Sequence, residues 1–145
     1  MIQIRKIAPK ECYPIRQKVL WQHKNIDDCG IAIDDQKDAF HLGAYLNDEL
    51  VCIGSFFKQN HAEFSAPRQY RLRAMATLPK AQHKGLAKIL LEKSFNEFKL
   101  HNIDLLWCDA RVVAKGFYSK LGFVTNGDSY EIPIIGTHYL MYKKI

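Results

Sequence analysis

A chain of 145 residues can hold one domain with a substantial core and is too short for two ordinary ones. Apolar residues make up 48% and charged residues 25%, a globular balance that excludes a disordered or fibrous chain. The net charge of +6 is compatible with nucleic acid, an acidic membrane surface or an anionic small ligand, and it chooses among none of them.

The four cysteines, Cys12, Cys29, Cys52 and Cys108, are widely spaced and form no Cys-x-x-Cys. A zinc ribbon, a thioredoxin-like motif and a metal site in general are therefore not expected. Cys52 and Cys108 lie in apolar runs and read as buried thiols. No leader-like apolar segment opens the chain, and no run is long enough to cross a bilayer, so the expected compartment is cytoplasmic.

Taken in chain order, Met1 to Ile7 alternates apolar and polar residues and predicts a strand. Pro14 suits the first turn of a helix running to about Trp21, with Ile15 and Val19 on its inner face. Gln22 to Asp38 is polar and carries five aspartates. Their spacing is not that of a calcium loop, so a solvated loop is expected, with a substrate-facing role as the secondary reading. Ala39 to Leu46 and Leu50 to Phe57 read as strands joined by Asn47-Asp48-Glu49, a hairpin signal. Gln69 to Thr77 is a third long strand. Leu86 to Leu100 carries the strongest helix pattern, with Leu86, Ala87, Leu90, Leu91, Phe95 and Phe98 on one stripe. Asp104 to Asp109 is a short buried strand. Ala114 to Leu121 is a short helix stopped by Gly122. Phe123 to Thr125 and His138 to Lys143 are late strands, with a turn at Asn126-Gly127. The order predicts a single domain over residues 1 to 145: an α+β (α/β three-layer) fold with one mixed, mostly antiparallel central sheet and helices on both faces.

The segment Gln82-His83-Lys84-Gly85-Leu86-Ala87 is the most informative. It lies between a strand and a helix, so backbone N–H groups converge at the positive end of a helix dipole beside Lys84 and Lys88. Gly85 permits close approach of a ligand, and Ala87 leaves room on the first helical turn. The segment lacks the Lys-Ser/Thr pair of a P-loop and the three glycines of a dinucleotide fingerprint, yet it still reads as a device for holding phosphate.

A second cluster follows the buried strand: Asp109-Ala110-Arg111, then Phe117-Tyr118-x-x-Leu121-Gly122-Phe123. With Gln82-x-x-Gly85-x-Ala87 upstream, the pair of motifs resembles the GNAT superfamily of acyl-CoA-dependent N-acetyltransferases. The order of elements over essentially the whole chain is similar too. Ile15-Arg16, Val19-Leu20, His41 to Ala44, Leu72 to Ala76 and Ile135 to His138 resemble a small bacterial-type subgroup of that superfamily. One position departs from the pattern: where the family commonly has asparagine, this chain has Asp109, which keeps an acceptor and loses the amide donor.

The resemblance implies acetyl-CoA as the acyl donor and a small-molecule or peptide amine as the acceptor, which attacks the thioester directly. It implies that the amides of Gln82, His83, Lys84, Gly85, Leu86, Ala87 and Lys88 hold the pyrophosphate. Met75, Ala76 and Thr77 would align the pantetheine arm, with an N–H of Met75 or Ala76 on the thioester oxygen. Asp109 and Phe117 would join the cofactor site, and Tyr118 would protonate the departing thiolate. His138 leads as general base, ahead of Glu131, His41 and Asp109. Arg16, Arg73 and His41 are candidates to contact the acceptor. Homodimers through sheet edges are common in such proteins. No membrane role is expected. A nucleic-acid partner is not expected either, because no basic stripe is interleaved with aromatics. A coenzyme A sensor with little catalysis is the rival reading, and Tyr118 speaks against it.

Overall fold

The protein, seen in a computed structural model, is described from Met1 to Ile145. Eight strands and three helices make a mixed α+β fold. The strands are β1 (Ile2–Ile7), β2 (Phe40–Leu46), β3 (Glu49–Lys58), β4 (Gln69–Thr77), β5 (Leu105–Arg111), β6 (Val124–Thr125), β7 (Tyr130–Ile132) and β8 (Gly136–Lys144). The helices are α1 (Pro9–Ile15), α2 (Leu86–Leu100) and α3 (Lys115–Lys120). The sheet order is β1-β2-β3-β4-β5-β8-β6, with β7 also on β8. The pairs β1/β2 and β2/β3, and those of β5, β6 and β7 with β8, are antiparallel. The β4/β5 pair is parallel. A parallel pair needs a crossover, and α2 supplies it.

By contact density the chain forms two compact units, Met1–Phe57 with Arg73–Glu97, and Lys58–Leu72 with Phe98–Ile145. In the first unit, Asn47 (φ 51°) and Asp48 (φ 67°) both take the left-handed conformation that a two-residue hairpin turn requires. Helix α1 starts at Pro9, so Pro14 lies inside it and not in its first turn. Pro14 has no N–H for the carbonyl one turn back, and beyond Ile15 the helix widens into a π-turn. Trp21 N–H then reaches the Arg16 carbonyl, five residues back, at 2.9 Å. Strand β4 also has an irregular step, with Ala74 at φ 54°. Its ladder with β5 runs only from Gln69↔Leu105 to Leu72↔Cys108 and stops short of that residue.

The loop after α1 corrects the expectation of uniformly solvated aspartates. Asp34 is 4% exposed and accepts both ends of the fully buried Arg16 guanidinium, at 2.7 and 2.9 Å. Arg16 also donates to the Cys29 carbonyl and to Ser55 Oγ, each at 2.9 Å. The chain of donors continues. Ser55 lies 2.7 Å from His41 Nδ1, and His41 Nε2 lies 3.1 Å from the Asp34 carbonyl. A carbonyl only accepts, so Nε2 carries the proton and Nδ1 takes the Ser55 hydroxyl proton. Every link is satisfied by a neutral imidazole. Only Arg16 Nε lacks a partner.

In the second unit, β5, β7 and β8 carry Leu105, Trp107 and Leu140, packed with Phe64, Ala66, Tyr130 and Tyr142. Strand β7 was not foreseen, and β8 begins two residues before its expected start. In the first unit α2 buries Leu86, Leu90, Leu91 and Phe95; beyond the boundary its end buries Phe98. All four cysteines are free and buried.

Burial by itself would raise the Asp34 carboxyl. The bonds from Arg16 and from Ile31 N–H outweigh it and hold the group below the ordinary carboxylate range. Burial holds the His41 imidazole below its usual value. Both folded-state values are depressed, so their stabilisation is complete above about pH 6.5. It is lost as pH falls, first through His41 and then, below about pH 4, through Asp34. Urea midpoints should therefore fall between about pH 7 and about pH 3. Asp34→Ala, which strands the Arg16 charge, should cost about 3–5 kcal/mol at neutral pH. A variant as stable as the parent would refute the clamp.

Candidate active site

In the first unit, the path from β4 to α2 runs through a 3-10 turn, Pro79–Ala81. His83 (φ 63°) and Gly85 (φ 77°) are left-handed, while Lys84 is not. Alternation of this kind turns successive amides toward one concavity that suits an anion. The first bond of the helix joins Ile89 N–H to the Gly85 carbonyl at 3.1 Å. The amides of Leu86, Ala87 and Lys88 precede it and emerge at the helix end. A Cβ added at Gly85 would meet nothing within 4 Å. Lys84 and Lys88 are exposed beside this opening, whereas Lys80 pairs with Glu49. The loop fits a diphosphate: orphan donors, an open cradle and two exposed cations.

The other residues expected near a cofactor in this unit are Met75, Ala76 and Thr77, at the end of β4. Met75 and Thr77 are half-buried and Ala76 is buried. Thr77 donates to Cys52 Sγ at 3.2 Å, and Gln82 Nε2 reaches the Thr77 carbonyl at 3.5 Å. Arg73 is half-buried on the same strand. Arg16 and His41 differ from the expectation of ligand-facing side chains. Both Nη atoms of Arg16 and both ring nitrogens of His41 are engaged inside the protein. A buried guanidinium must be matched internally, and that requirement fixes their task as scaffolding.

In the second unit, α3 carries Phe117 and Tyr118 and ends at Lys120; Gly122 follows its cap, with a φ of 95° that suits glycine. Tyr118 is 6% exposed, and its ring meets Phe117 and Phe123 edge-on at 5.1 and 5.2 Å. Asp109 accepts Arg71 Nη2 at 2.6 Å on one oxygen and the Tyr130 hydroxyl on the other. Arg71 lies over Trp107, 4.8 Å from the ring centroid, and Trp107 Nε1 donates to the Gln59 carbonyl at 2.8 Å. Asp109 is thus held by two internal donors. Burial, then the Asp109 carboxylate, pushes the Tyr130 phenol above its usual range. His138 is 4% exposed, and its Nδ1 lies 2.7 Å from the Gly136 carbonyl. Nδ1 must therefore donate, and in the neutral ring Nε2 is the basic nitrogen. Glu131 is exposed, and its carboxylate accepts the Thr137 hydroxyl.

The structure therefore gathers Asp109 and His138 onto one polar cluster and leaves Glu131 at the surface. Arg71 and Tyr130 are the members that sequence reasoning missed. Tyr130 sits on a strand of three residues, too short to show periodicity.

Comparison with known proteins adds an independent line. The sequence profile of the Acetyltransferase (GNAT) family matches residues 2–123. The "Uncharacterized N-acetyltransferase YitI" of Bacillus subtilis (strain 168) is 32% identical over 145 residues, spanning 100% of this chain and 97% of that protein. Among solved structures, Escherichia coli ElaA superposes with a TM-score of 0.76 at 19% identity, over 99% of each chain. The ribosomal-protein-S18-alanine N-acetyltransferase of Escherichia coli gives 0.75 at 19% identity, over 100% of this chain and 94% of that one. At such identities the two structures speak for the fold.

Gly85→Glu tests the loop. An added Cβ meets no protein atom, and the left-handed φ costs about 1–2 kcal/mol. The domain should stay folded while its affinity for coenzyme A falls by about 10²-fold or more, since a carboxylate replaces open space at an anion cradle. Unchanged affinity by calorimetry would remove the loop from the binding site.

Proposed function

The chain belongs to the GNAT acetyltransferase family and is an acyltransferase, and on that premise we propose that it moves an acetyl group from acetyl-CoA to a primary amine of a small molecule or peptide. The reading takes residues 1 to 145 as one catalytic domain in which each unit has its own task. The observation that carries it is the β4-to-α2 loop, where amides emerge ahead of the first helical bond and Gly85 leaves an open cradle.

Bound acetyl-CoA supplies an activated acyl carbon that a neutral amine attacks. In the first unit, the amides of His83 to Lys88 hold the pyrophosphate, with Lys84 and Lys88 adding charge that needs no fixed geometry. Met75 to Thr77 present extended backbone for the pantetheine arm, and an N–H of Met75 or Ala76 stabilises charge on the acyl oxygen. In the second unit, the Tyr118 hydroxyl gives its proton to sulfur as the C–S bond breaks. Tyr118 need only hydrogen-bond the sulfur and relay a proton, a modest general-acid demand. His138 Nε2 takes the proton from the incoming ammonium. Asp109 is a poor alternative, since both its oxygens are already occupied. Glu131 is a weaker one, at the surface and bonded to Thr137.

Thiol release with a panel of amines tests the proposal. The parent protein should turn over at least one amine, and Tyr118→Phe should lower kcat by about 10²-fold while leaving the KM for acetyl-CoA within about twofold. A protein that binds coenzyme A and releases no thiol with any amine would be a sensor instead. His138→Gln should slow turnover at neutral pH and recover part of it at higher pH, where free amine accumulates. A profile that matches the parent at every pH would remove His138 as the base.

A further inference from the structure

We propose that Tyr130 is a positioning residue for His138, holding the plane of the imidazole so that Nε2 keeps a fixed direction. The inference rests on the reading of His138 as the general base. Tyr130 and His138 are cross-strand partners in β7 and β8, so their side chains project to the same side. Their rings lie nearly parallel, 26° apart, with centroids separated by 6.3 Å.

A strand of three residues is a poor anchor by itself, and Tyr130 is tied down elsewhere. Its hydroxyl donates to Asp109, Asp109 pairs with Arg71 at 2.6 Å, and Arg71 rests on Trp107. Trp107 in turn donates to the Gln59 carbonyl. The chain of contacts therefore runs from a buried indole in β5 to the tyrosine ring that faces His138. The other edge of the imidazole is fixed by the bond from Nδ1–H to the Gly136 carbonyl. The Gly136 bond acts in the plane of the imidazole, and the nearly parallel Tyr130 ring neighbours it at 6.3 Å between centroids.

The electrostatic surroundings agree with a positioning task. Arg71 pairs with Asp109 at 2.6 Å, so that carboxylate is matched by its own cation. Arg111 is the β5 register partner of His138, and Glu131, next to Tyr130, is bonded to Thr137. The Tyr130 hydroxyl donates to Asp109.

The experiment pairs Tyr130→Phe, which keeps the ring and removes the hydroxyl, with Tyr130→Leu, which removes both. In the parent background Tyr130→Phe should lower kcat about tenfold, within the range that a small misplacement costs, with the KM for acetyl-CoA unchanged. In a His138→Gln background the same change should have no further effect, because residues acting through one another are not additive. Equal losses in both backgrounds would overturn the positioning role. They would leave His138 standing, since its own pH profile tests it separately. A spectroscopic arm needs no acceptor. Imidazole nitrogen shifts should show neutral His138 protonated at Nδ1 alone in the parent, and mixed tautomers in Tyr130→Leu. A single Nδ1–H tautomer in Tyr130→Leu would also overturn the proposal.

Discussion

A charge taken out of water has to meet its opposite, and each of the two units is arranged around one Arg–Asp pair that obeys this constraint. In the first, Arg16 and Asp34 are sealed from solvent and tie the long loop after α1 to β3 through Ser55. In the second, Arg71 and Asp109 are each 21% exposed and link β4, β5 and β7. The surrounding polar residues fall into place as partners these charges require. Ser55 and His41 complete the first network, and Tyr130 and Gln59 belong to the second.

The two networks differ in what they leave over. Around Arg16 the side-chain donors and acceptors are matched except for one guanidinium nitrogen, so that network gives rigidity and no chemistry. Around Asp109 the carboxylate is likewise consumed, but the neighbouring histidine keeps one basic nitrogen. Its other nitrogen is fixed by a carbonyl that can only accept. Each network leaves one guanidinium Nε without a partner, on Arg16 and on Arg71; the second also has a histidine beside it with one basic nitrogen, a candidate base. The same comparison explains why His41 and His138, both buried on strands, received different roles.

The opening of α2 follows the opposite logic. Helix starts always carry unmatched amides, and many proteins cover them with a capping side chain. Here the residues before Leu86 are His83, Lys84 and Gly85, whose alternating backbone signs gather amides and whose side chains add positive charge. GNAT proteins generally use acetyl-CoA as co-substrate, and the proposal that its diphosphate sits at this loop rests on those converging amides.

Features set by local chemistry were legible in the sequence. The bounds of α2 at Leu86 and Leu100 and the extent of β4 from Gln69 to Thr77 follow from periodicity, and the hairpin expected at Asn47-Asp48-Glu49 forms there, with Glu49 already in β3. The glycine-bearing loop before α2 and the motif around Tyr118 were visible for the same reason, because neighbours in the chain carry them. Other features required the folded chain. The aspartate that meets Arg16, the carboxylate that meets Arg71 and the ring that faces His138 lie 18, 38 and 8 residues away respectively. Charge and aromaticity are readable at each position, but a pairing exists only once the register of distant strands brings the groups together. Composition announced that this chain had arginines, aspartates and histidines to spend; tertiary structure alone decided which were consumed in holding the fold and which kept a reactive atom.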